Sequence, residues 1–450
     1  MKNWVIGLIV LSISIVSALM AVLYKMEIGW LQAIVTFFAV YGMALIFLAA
    51  VLRGRQFKKD PEYRPFCSLI VPARNEEKVI ADTIRSLMNI DYSKDNKPNY
   101  EVIVMDDNSS DRTLEIANAL KDEFPGLKVV HRNSDIAGKG KSDVLNHGLK
   151  EAKGDIIGVF DADTRVARDF LQKTVPLMAD PQVGGVQGRV RLYNRNKNIL
   201  TMLQEDEFAV VVHLYQIGKE YIGGITALGG NGQIVKREAV ESVGGWNYYS
   251  PTEDLDLTFR LLFKGWDIRY APDAVIWQEG VEKPYAFLRQ RVRWAEGFLK
   301  CIFDYSVPLI FGKSTKIKKI DGIMTMGRVF IPVYIWISYI FAFFATSQGL
   351  SFTTSTSQAL MGFSAWIFTT ALLVGMWKVL YPNPFMALLR VFMYSFYGSL
   401  WVLVIPLGFI NCFRRIDDIC WDKTIHSGST TEEDNLTGIA SEEGYSVMVN

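Results

Sequence analysis

The stretch Ile156-Ile157-Gly158-Val159-Phe160-Asp161-Ala162-Asp163 decides the fold of this chain. Its first five residues are apolar and predict a buried strand, and two carboxylates follow where that strand ends. Alternate carboxylates at a strand end can approach one hard cation and leave coordination positions open for a diphosphate. A turn or a helix cap is the competing interpretation of the same residues. The surrounding sequence has to decide between the two.

The sequence before this stretch alternates short apolar runs with amphipathic ones. The predicted strands cover residues 67–71, 101–105, 127–131 and 156–160, and the predicted helices cover residues 77–88, 113–122 and 141–152. This alternation indicates right-handed crossovers and a mostly parallel sheet. In such sheets, ligands bind beyond the carboxyl ends of the strands. Pro72-Ala73-Arg74-Asn75-Glu76 and Asp106-Asp107 follow two earlier strands, so they are predicted to share one site with Asp161 and Asp163.

Two of the connections carry further candidate groups. Ser109-Ser110-Asp111 favours the N-cap of the helix that begins near Thr113. Gly138-Lys139-Gly140-Lys141 precedes the third helix, and glycines and lysines before a helix N-terminus suit a phosphate. The spacing is not that of a Walker loop. Lys141 is the candidate phosphate ligand, with a solvated surface lysine as the alternative.

Three motifs in the second half of the chain add polar and aromatic groups. Thr252-Glu253-Asp254 opens an amphipathic helix, where acids either serve chemistry or only favour the helix dipole. Gln290-Arg291-Val292-Arg293-Trp294 lies on a helix predicted over residues 284–302, with Gln290, Arg293 and Trp294 on one face. Alone, that helix would be interpreted as a basic and aromatic helix lying on a membrane. Gly229-Gly230-Asn231-Gly232 allows a close backbone approach or forms a simple turn.

The composition favours a membrane protein. Of the 450 residues, 50% are hydrophobic and 13% aromatic, and the mean hydropathy is +0.15. The net charge of +1 gives no support for a nucleic acid or another polyanion as a partner. Four cysteines without a CxxC pair argue against a zinc site or a disulfide framework.

Five apolar stretches are long enough to cross a hydrocarbon layer of ~30 Å as helices. They cover residues 4–24, 30–52, 329–346, 359–377 and 391–410. A signal peptide cleaved after Val16-Ser17-Ala18 is the alternative for the first stretch. Basic residues flank the long polar middle on both sides, so that middle is predicted to be cytoplasmic. Arg414 and Arg415 also favour the inside, which conflicts with five crossings.

In this order and between apolar helices, the motifs resemble those of the membrane-embedded family 2 glycosyltransferases, which make cellulose, chitin, hyaluronan and poly-N-acetylglucosamine. The resemblance covers residues 65–300. It implies an α/β nucleotide-diphospho-sugar transferase domain of the GT-A type, inserted between transmembrane α-helices. It also implies Mg²⁺ or Mn²⁺ bound by Asp161 and Asp163. The family has glycine where this chain has Asn108, and both residues adopt positive φ.

The resemblance implies a role for each motif residue. Asp254 is implied as the base for the acceptor hydroxyl, with Glu253 as its catalytic neighbour. The implied donor-binding residues are Pro72, Ala73, Glu76, Asp106, Asp107, Lys141, Asp161 and Arg293. The implied acceptor-binding residues are Gly230, Asn231, Gln290 and Trp294.

The resemblance and the apolar stretches together divide the chain. Residues 1–52 are predicted to form two N-terminal transmembrane helices, residues 53–280 the cytoplasmic glycosyltransferase domain, and residues 281–320 interfacial amphipathic helices. Residues 321–412 are predicted to form about three further transmembrane helices. Residues 413–450 are predicted to be a polar, disordered tail. The predicted location is the plasma membrane, crossed several times, with the catalytic domain in the cytoplasm.

The predicted function is that of an inverting, processive glycosyltransferase, which builds a β-linked polysaccharide from a UDP-sugar and translocates it across the membrane. The sequence Gln290 to Gly297 resembles that of poly-β-1,6-N-acetylglucosamine synthases, which favours UDP-N-acetylglucosamine over UDP-glucose as the donor. The expected partners are the growing polysaccharide, the lipid bilayer and a small accessory membrane subunit. One alternative is a single transfer to a membrane lipid. Another is a non-catalytic export subunit, against which the intact acidic motifs argue.

Overall fold

The computed structural model describes residues 29–52, 57–135, 137–329, 331, 355–414, 426 and 428. Its centre is an eight-stranded sheet with the strand order β5-β4-β1-β6-β9-β8-β10-β7, and a two-stranded hairpin lies beside it. The strands are β1 (Cys67–Ala73), β2 (Ser93–Lys94), β3 (Lys97–Pro98), β4 (Tyr100–Asp106), β5 (Leu127–His131), β6 (Ile156–Val159), β7 (Arg165–Val166), β8 (Val183–Leu192), β9 (Gln233–Lys236) and β10 (Asp267–Gln278).

Helices cover both faces of this sheet and continue beyond it. The helices are α1 (Gly29–Val51), α2 (Ile80–Met88), α3 (Thr113–Ala119), α4 (Lys141–Glu151), α5 (Phe170–Thr174), α6 (Ile199–Asp206), α7 (His213–Ile222), α8 (Arg237–Ser242), α9 (Glu253–Lys264), α10 (Pro284–Phe311), α11 (Lys316–Val329), α12 (Ser355–Val379), α13 (Pro384–Ser399) and α14 (Trp401–Arg414). A 3₁₀ turn covers Val175–Ala179, and a π-helical turn covers Glu207–Val212 between α6 and α7.

The predicted strands and crossovers of the first half are confirmed. Strands β5, β4, β1 and β6 pair in parallel, and Ala73 of β1 lies in register with Asp106 of β4. The sheet as a whole is mixed, because β9 pairs antiparallel with both β6 and β8, and β7 pairs antiparallel with β10. The carboxyl ends of β1, β4 and β6 therefore meet at one edge, as the sequence predicts.

The alternation of side chains along the strands builds two cores. Leu69 and Val71 of β1 pack with Ile84 of α2 on one face of the sheet. Ile70, between them in the sequence, packs with Leu145 of α4 on the other face. Such strands are apolar throughout because both of their faces are buried. The sheet edge that carries the motifs is thereby held between two packed layers.

Three predicted helices differ from their observed bounds by several residues. The helix predicted over 113–122 ends at Ala119. The helix predicted from residue 77 begins at Ile80, because Glu76 and Glu77 lie in the connection after β1. The helix predicted over 284–302 continues to Phe311, with Pro308 inside its last turns. The Gln290–Trp294 motif therefore lies on a helix of 28 residues.

Three consecutive acidic residues join the sheet to the C-terminal helices. Each carboxylate is buried and pairs with an arginine from a different element: Glu205 with Arg191 of β8, Asp206 with Arg390 of α13, and Glu207 with Arg291 of α10. Removing one partner of such a buried pair is costly, because it leaves an uncompensated charge. These pairs therefore fix α10 and α13 against the catalytic sheet.

Two helical stretches within the described ranges are long and apolar enough to cross a membrane, Gly362–Val379 and Pro384–Arg414. A shorter apolar stretch covers Thr36–Val51. The span predicted over residues 4–24, nearly all of the one over 329–346, and the tail apart from residues 413–414, His426 and Gly428 lie outside the described residues. The two helices indicate membrane association, and the predicted five crossings go beyond what they support.

Candidate active site

Lys141 lies at the centre of the site. Its Nζ atom donates to Asp161 Oδ1 at 2.7 Å and lies 2.9 Å from Glu253 Oε1. Burial alone would lower the pKa of Lys141, but the charges of Asp161 and Glu253 outweigh burial and raise it. Lys141 is therefore a fixed cation that joins the first acidic motif to the second, and the interpretation as a solvated surface lysine is wrong.

Local backbone geometry puts Lys141 in this place. It is the first residue of α4, and the preceding Gly140 has a φ of 97°, a conformation that glycine adopts without strain. Further along α4, the side chain of Asn146 makes hydrogen bonds within the protein. Its side chain donates to the carbonyl of Trp246 at 2.8 Å and accepts from the backbone N–H of the same residue at 2.8 Å. The helix is thus fixed at both Lys141 and Asn146.

The two aspartates after β6 differ in their surroundings. Asp161 is half-buried and Asp163 is buried. The backbone N–H of Glu279 donates to Asp163 Oδ2 at 2.8 Å, and His426 Nδ1 lies 3.5 Å from the same oxygen. Burial raises the pKa of Asp163, the charge of His426 lowers it, and the neighbouring Asp161 raises it further. Two close carboxylates therefore share this turn.

Glu279 and His426 were missed by the sequence analysis. His426 Nδ1 also lies 3.6 Å from Glu279 Oε2, and the backbone N–H of Gly428 donates to that oxygen at 3.3 Å. His426 belongs to the segment predicted to be disordered, yet it lies half-buried against the second aspartate of the motif. A lone histidine in a polar tail carries no local signal of this contact.

The cation implied by the resemblance can be tested against this turn. Among the residues that the structure describes, no three His, Cys, Asp or Glu side chains form a cluster that could hold a metal ion. Mg²⁺ is commonly bound through one or two carboxylates together with substrate phosphates. The paired carboxylates of Asp161 and Asp163 fit a site of that shared kind. Such a cation would depend on the donor for its remaining ligands.

The Asp106-Asp107 pair after β4 is held mainly by basic groups. Arg132 Nη1 donates to Asp107 Oδ1 at 2.6 Å, and the backbone N–H of Gly138 donates to Asp107 Oδ2 at 3.0 Å. Asp106 Oδ2 lies 2.8 Å from His131 Nδ1, while the buried Oδ1 of Asp106 has no hydrogen-bond partner within the described structure. Of the two aspartates, Asp106 therefore keeps a buried oxygen that no described group pairs with.

The Pro72–Glu76 segment is joined to the loop after β4. The backbone N–H of Asn75 donates to Ser109 Oγ at 3.0 Å, and the backbone N–H of Ser110 donates to Asn75 Oδ1 at 2.7 Å. The backbone N–H of Glu76 donates to Thr113 Oγ1 at 2.6 Å. The two loops thus form one surface over β1 and β4, with Pro72 and Ala73 in the strand beneath.

The N-cap of α3 differs from the prediction, since the capping residue is Arg112 and it has no side-chain cap bond. Asp111 Oδ1 accepts from the backbone N–H of Thr113 at 3.0 Å. Ser109 and Ser110 instead bond with Asn75, so the prediction that they cap α3 is wrong. Asn108 has a φ of 56°, which confirms the positive φ expected at this position.

Asp254 lies beside Lys141 at the start of α9. Burial of its carboxyl group, and then the charge of Glu253, raise the pKa of Asp254 to about 7, while Lys141 acts in the opposite direction. A Cβ atom added to Gly230 would lie 3.1 Å from Asp254 Oδ2 and 3.7 Å from Lys141 Nζ. Gly230 therefore borders a narrow space beside Asp254 and Lys141. A side chain at this position would crowd the Asp254 carboxyl group and the Lys141 ammonium group.

Asn231 links this space to the strand β6. Its Oδ1 atom accepts from the backbone N–H of Asp161 at 3.2 Å and from Thr164 Oγ1 at 2.8 Å. Its Nδ2 atom donates to Gln278 Oε1 at 3.0 Å. In this structure Asn231 braces the turn after β6, a contact that its sequence position did not predict.

The Gln290–Trp294 motif approaches the site from α10. Arg293 Nη1 donates to the carbonyl of Pro251 at 3.3 Å, directly before the Thr252–Asp254 motif. Tyr305 of the same helix donates to Asp256 Oδ2 at 2.5 Å. These bonds fix α10 against α9, and Arg293 contacts the backbone near Asp254 rather than a carboxylate of the Asp161 turn.

The family model for glycosyltransferase-like family 2 proteins matches residues 64–297, more than half of the chain. The chain belongs to glycosyltransferase family 2. It is a glycosyltransferase, and its sheet and acidic edge form the GT-A fold that the sequence predicts. The family assignment does not test the role of any single site residue.

Relatives of this glycosyltransferase differ in how much of the chain they match. It is 34% identical over 413 residues to the β-monoglucosyldiacylglycerol synthase of Trichormus variabilis, covering 89% of this chain and 84% of that protein. It is 30% identical over 231 residues to the poly-β-1,6-N-acetyl-D-glucosamine synthase of Staphylococcus aureus, covering 51% and 54%.

Among solved structures, the glycosyltransferase resembles the mannosyltransferase PcManGT from Pyrobaculum calidifontis in complex with GDP-Man and Mn²⁺. The TM-score is 0.59 with 20% sequence identity, covering 86% of this chain and all of that one. An identity this low shows a shared fold and nothing about the ligand.

The prediction of a processive polysaccharide synthase is wrong. The similarity to a protein named for adding one glucose to diacylglycerol extends over 89% of this chain, whereas the polysaccharide synthase matches 51% of it. The physical reason lies in the motifs themselves. They describe a donor site, a base and an acceptor face, and all three are needed once per transfer, however many transfers follow.

Proposed function

We propose that this protein is an inverting glucosyltransferase that moves one glucose from UDP-glucose to the hydroxyl of diacylglycerol, forming a β-glucoside. The observation that carries the chemistry is the array in which Lys141 joins Asp161 to Glu253, with Asp254 beside it. The lipid acceptor is supported by the similarity to the β-monoglucosyldiacylglycerol synthase. The two apolar C-terminal helices are consistent with an acceptor that resides in a membrane.

The reaction is a single displacement at the anomeric carbon. The lipid hydroxyl oxygen forms a bond to that carbon, the bond from the carbon to the diphosphate oxygen breaks, and UDP leaves with the electron pair. The proton of the hydroxyl passes to Asp254, whose pKa of about 7 suits a base at neutral pH. Burial, and then the charge of Glu253, raise that pKa, and Glu253 is at the same time paired with Lys141.

The donor occupies the edge formed by β1, β4 and β6. Asp106, at the end of β4, is the proposed contact to the nucleoside, and Asp107 maintains the loop with Arg132. The proposed donor contacts also include Pro72, Ala73, Glu76, Lys141, Asp161 and Arg293. Asp161 and Asp163 would hold Mg²⁺ or Mn²⁺, which when bound neutralises the charge developing on the departing diphosphate.

The acceptor face is formed by Gly230 and Asn231 together with Gln290 and Trp294. Gly230 leaves room for a hydroxyl next to Asp254, because any side chain there would crowd the carboxyl group. Trp294 is half-buried on α10 and offers an apolar face to the lipid backbone. Orientation of the hydroxyl toward the anomeric carbon is a large part of what such a face contributes.

The arrangement of the whole chain follows from a lipid acceptor. We assign residues 53–280 to a catalytic domain on the cytoplasmic side, residues 281–320 to the membrane interface, and the flanking apolar segments, residues 1–52 and 321–412, to the bilayer. Limited proteolysis of sealed membrane vesicles of known orientation tests this assignment. Cleavage within residues 53–280 only from the cytoplasmic side is the expected result.

The proposed activity is tested with the purified full chain in lipid nanodiscs containing diacylglycerol, Mg²⁺ or Mn²⁺, and radiolabelled UDP-glucose or UDP-N-acetylglucosamine. Thin-layer chromatography should show one glycolipid from UDP-glucose, from which β-glucosidase releases the label. The matched control is Asp254→Asn. A ladder of longer products, or label only in free sugar, would overturn the proposal.

A further inference from the structure

A buried cluster lies directly behind the acceptor face. Arg291 of α10 is 1% exposed, and its Nη2 atom donates to Glu207 Oε2 at 2.5 Å and to Tyr397 Oη at 3.1 Å. The hydroxyl of Tyr397 donates to the same oxygen of Glu207 at 2.6 Å. Three elements thus meet in one ionic cluster: the π-helical turn, α10 and α13.

This cluster contacts the indole of Trp294. The guanidinium carbon of Arg291 lies 4.0 Å from the centroid of the Trp294 ring. Phe208, the residue after Glu207, meets the same ring edge to face, with centroids 6.3 Å apart and an interplanar angle of 88°. A cation over an indole face is attracted by the ring quadrupole. The positions of Arg291 and Phe208, the two residues that orient Trp294, therefore both depend on Glu207.

The backbone at Glu207 is unusual. The turn Glu207–Val212 is π-helical and interrupts the helical path between α6 and α7. Single π-turns inside helices are rare and often occur at functional sites. Here the π-turn places Glu207 under Arg291 and Phe208 against Trp294 at the same time.

A second cluster of the same kind is formed around Asp206, the residue before Glu207. Asp206 pairs with Arg390 and accepts from the hydroxyl of Tyr381 at 2.9 Å. The guanidinium carbon of Arg390 lies 5.4 Å from the Tyr381 ring centroid. Carboxylate, arginine and tyrosine are thus the same in both clusters. Only the cluster at Glu207 adjoins Trp294, so the molecule contains its own control.

We propose that Glu207 and Tyr397 are positioning residues for the acceptor: they hold Arg291, and through it the Trp294 indole, in the orientation that receives the lipid. This inference rests on the proposed function, since it takes Trp294 as part of the acceptor site. Helix α13, one of the apolar C-terminal segments, thereby sets how well the acceptor fits. Neither residue contacts Lys141, Asp161 or Asp254, so donor chemistry is expected to be independent of them.

The decisive comparison is Tyr397→Phe against Tyr381→Phe in the full chain, reconstituted in nanodiscs. Each substitution removes one hydroxyl that bonds to a buried carboxylate. Tyr397→Phe should raise the KM for diacylglycerol about threefold to tenfold, the range for the loss of one typical hydrogen bond. UDP-glucose hydrolysis without acceptor should change less than about twofold, and Tyr381→Phe should leave both quantities unchanged.

A second variant separates positioning from folding. Phe208→Leu removes the edge contact to Trp294 without disturbing a charge, so it should reproduce the higher KM while the melting temperature stays near that of the wild type. Equal effects of Tyr397→Phe and Tyr381→Phe on the KM would overturn the inference. An unchanged KM in both Tyr397→Phe and Phe208→Leu would also overturn it. A wild type that makes no glucolipid would instead overturn the proposed function, and the inference with it.

Discussion

Asp107 and Asp254 are carboxylates at two edges of the same site. A basic residue lies next to Asp107, whereas an acidic residue lies next to Asp254. Asp107 is buried and accepts from Arg132 and from the backbone of Gly138, and burial raises its pKa against these compensating groups. Asp254 has an acidic neighbour, Glu253, and the nearest cation, Lys141, is paired with Glu253 and Asp161.

The difference shows how one residue type serves two purposes in one fold. A carboxylate surrounded by donors is fixed in place, so it can organise a loop. A carboxylate beside a second acid, with its cation shared, can exchange a proton near neutral pH. On the proposed function, the first edge receives the donor and the second carries the chemistry.

The most severe test of this comparison is Asp254→Asn. It keeps the shape of the side chain and removes the base, so transfer should fall by about 10³-fold, within the usual range for general base catalysis. UDP affinity, measured by calorimetry, should stay within about threefold of the wild type. A large loss of UDP affinity would place Asp254 in the donor site and erase the contrast with Asp107.

Arg132→Met probes the other edge. The substitution removes the buried cation that Asp107 and Asp143 share and leaves Asp107 only Arg74, at 3.9 Å. The free energy of unfolding should therefore fall by about 3–5 kcal/mol. Thermal melting in detergent measures the loss. His131→Gln is the control, because His131 is exposed and its pairing with Asp106 contributes at most about 1 kcal/mol. Similar melting temperatures for the two variants would show that Asp107 needs no compensation.

The pH dependence of transfer sharpens the comparison further. The base must be deprotonated to accept the hydroxyl proton, and the pKa of Asp254 is about 7. Activity should therefore be lost as the pH falls through 7, with kcat/KM decreasing about tenfold per pH unit below it. A midpoint of this pH profile near 4, the ordinary pKa of aspartate, would mean that the surroundings of Asp254 stabilise its charge as well as those of other carboxylates do.

Asn108→Gly should have the smallest effect. Asn108 has a φ of 56° directly after Asp107, and glycine adopts this conformation freely, so stability should change by less than about 1 kcal/mol. Asn108→Val should cost about 1–2 kcal/mol, because a β-branched residue is strained there. Melting temperatures of the two variants provide the measurement. Equal stability of both would show that the loop around Asp107 is less constrained than its hydrogen bonds indicate.

Local patterns were sufficient for the donor half of this molecule. The strands β1, β4, β5 and β6 are apolar runs of a few residues, and parallel pairing brings their carboxyl ends to one edge. That Asp106 and the Asp161 turn lie at the same edge of the sheet follows from topology alone. Lys141 was also found, because glycines and a lysine before a helix form a signal within four residues.

Partners distant in the sequence could not be predicted. Arg291 lies next to the residues of a known motif, yet its pairing with Glu207 and Tyr397 depends on how three elements pack. His426 gave no signal, since nothing in a polar tail specifies a contact with Asp163. The number of transfers per acceptor was predicted wrongly, because the same motifs serve one transfer or many.

The run Glu205-Asp206-Glu207 has a consequence for how the gene can change in length. Residues along a helix are separated by about 100°, so three neighbours that pair with three different elements fix the rotation of the whole segment. Deleting one residue upstream, such as Leu200, would turn all three carboxylates away from their arginines at once and should leave no folded protein. Deleting Asn96 from the exposed hairpin 93–98 should be tolerated, as expression and melting of the two deletion variants would show. Substitutions can accumulate in this helix, but insertions and deletions of residues cannot.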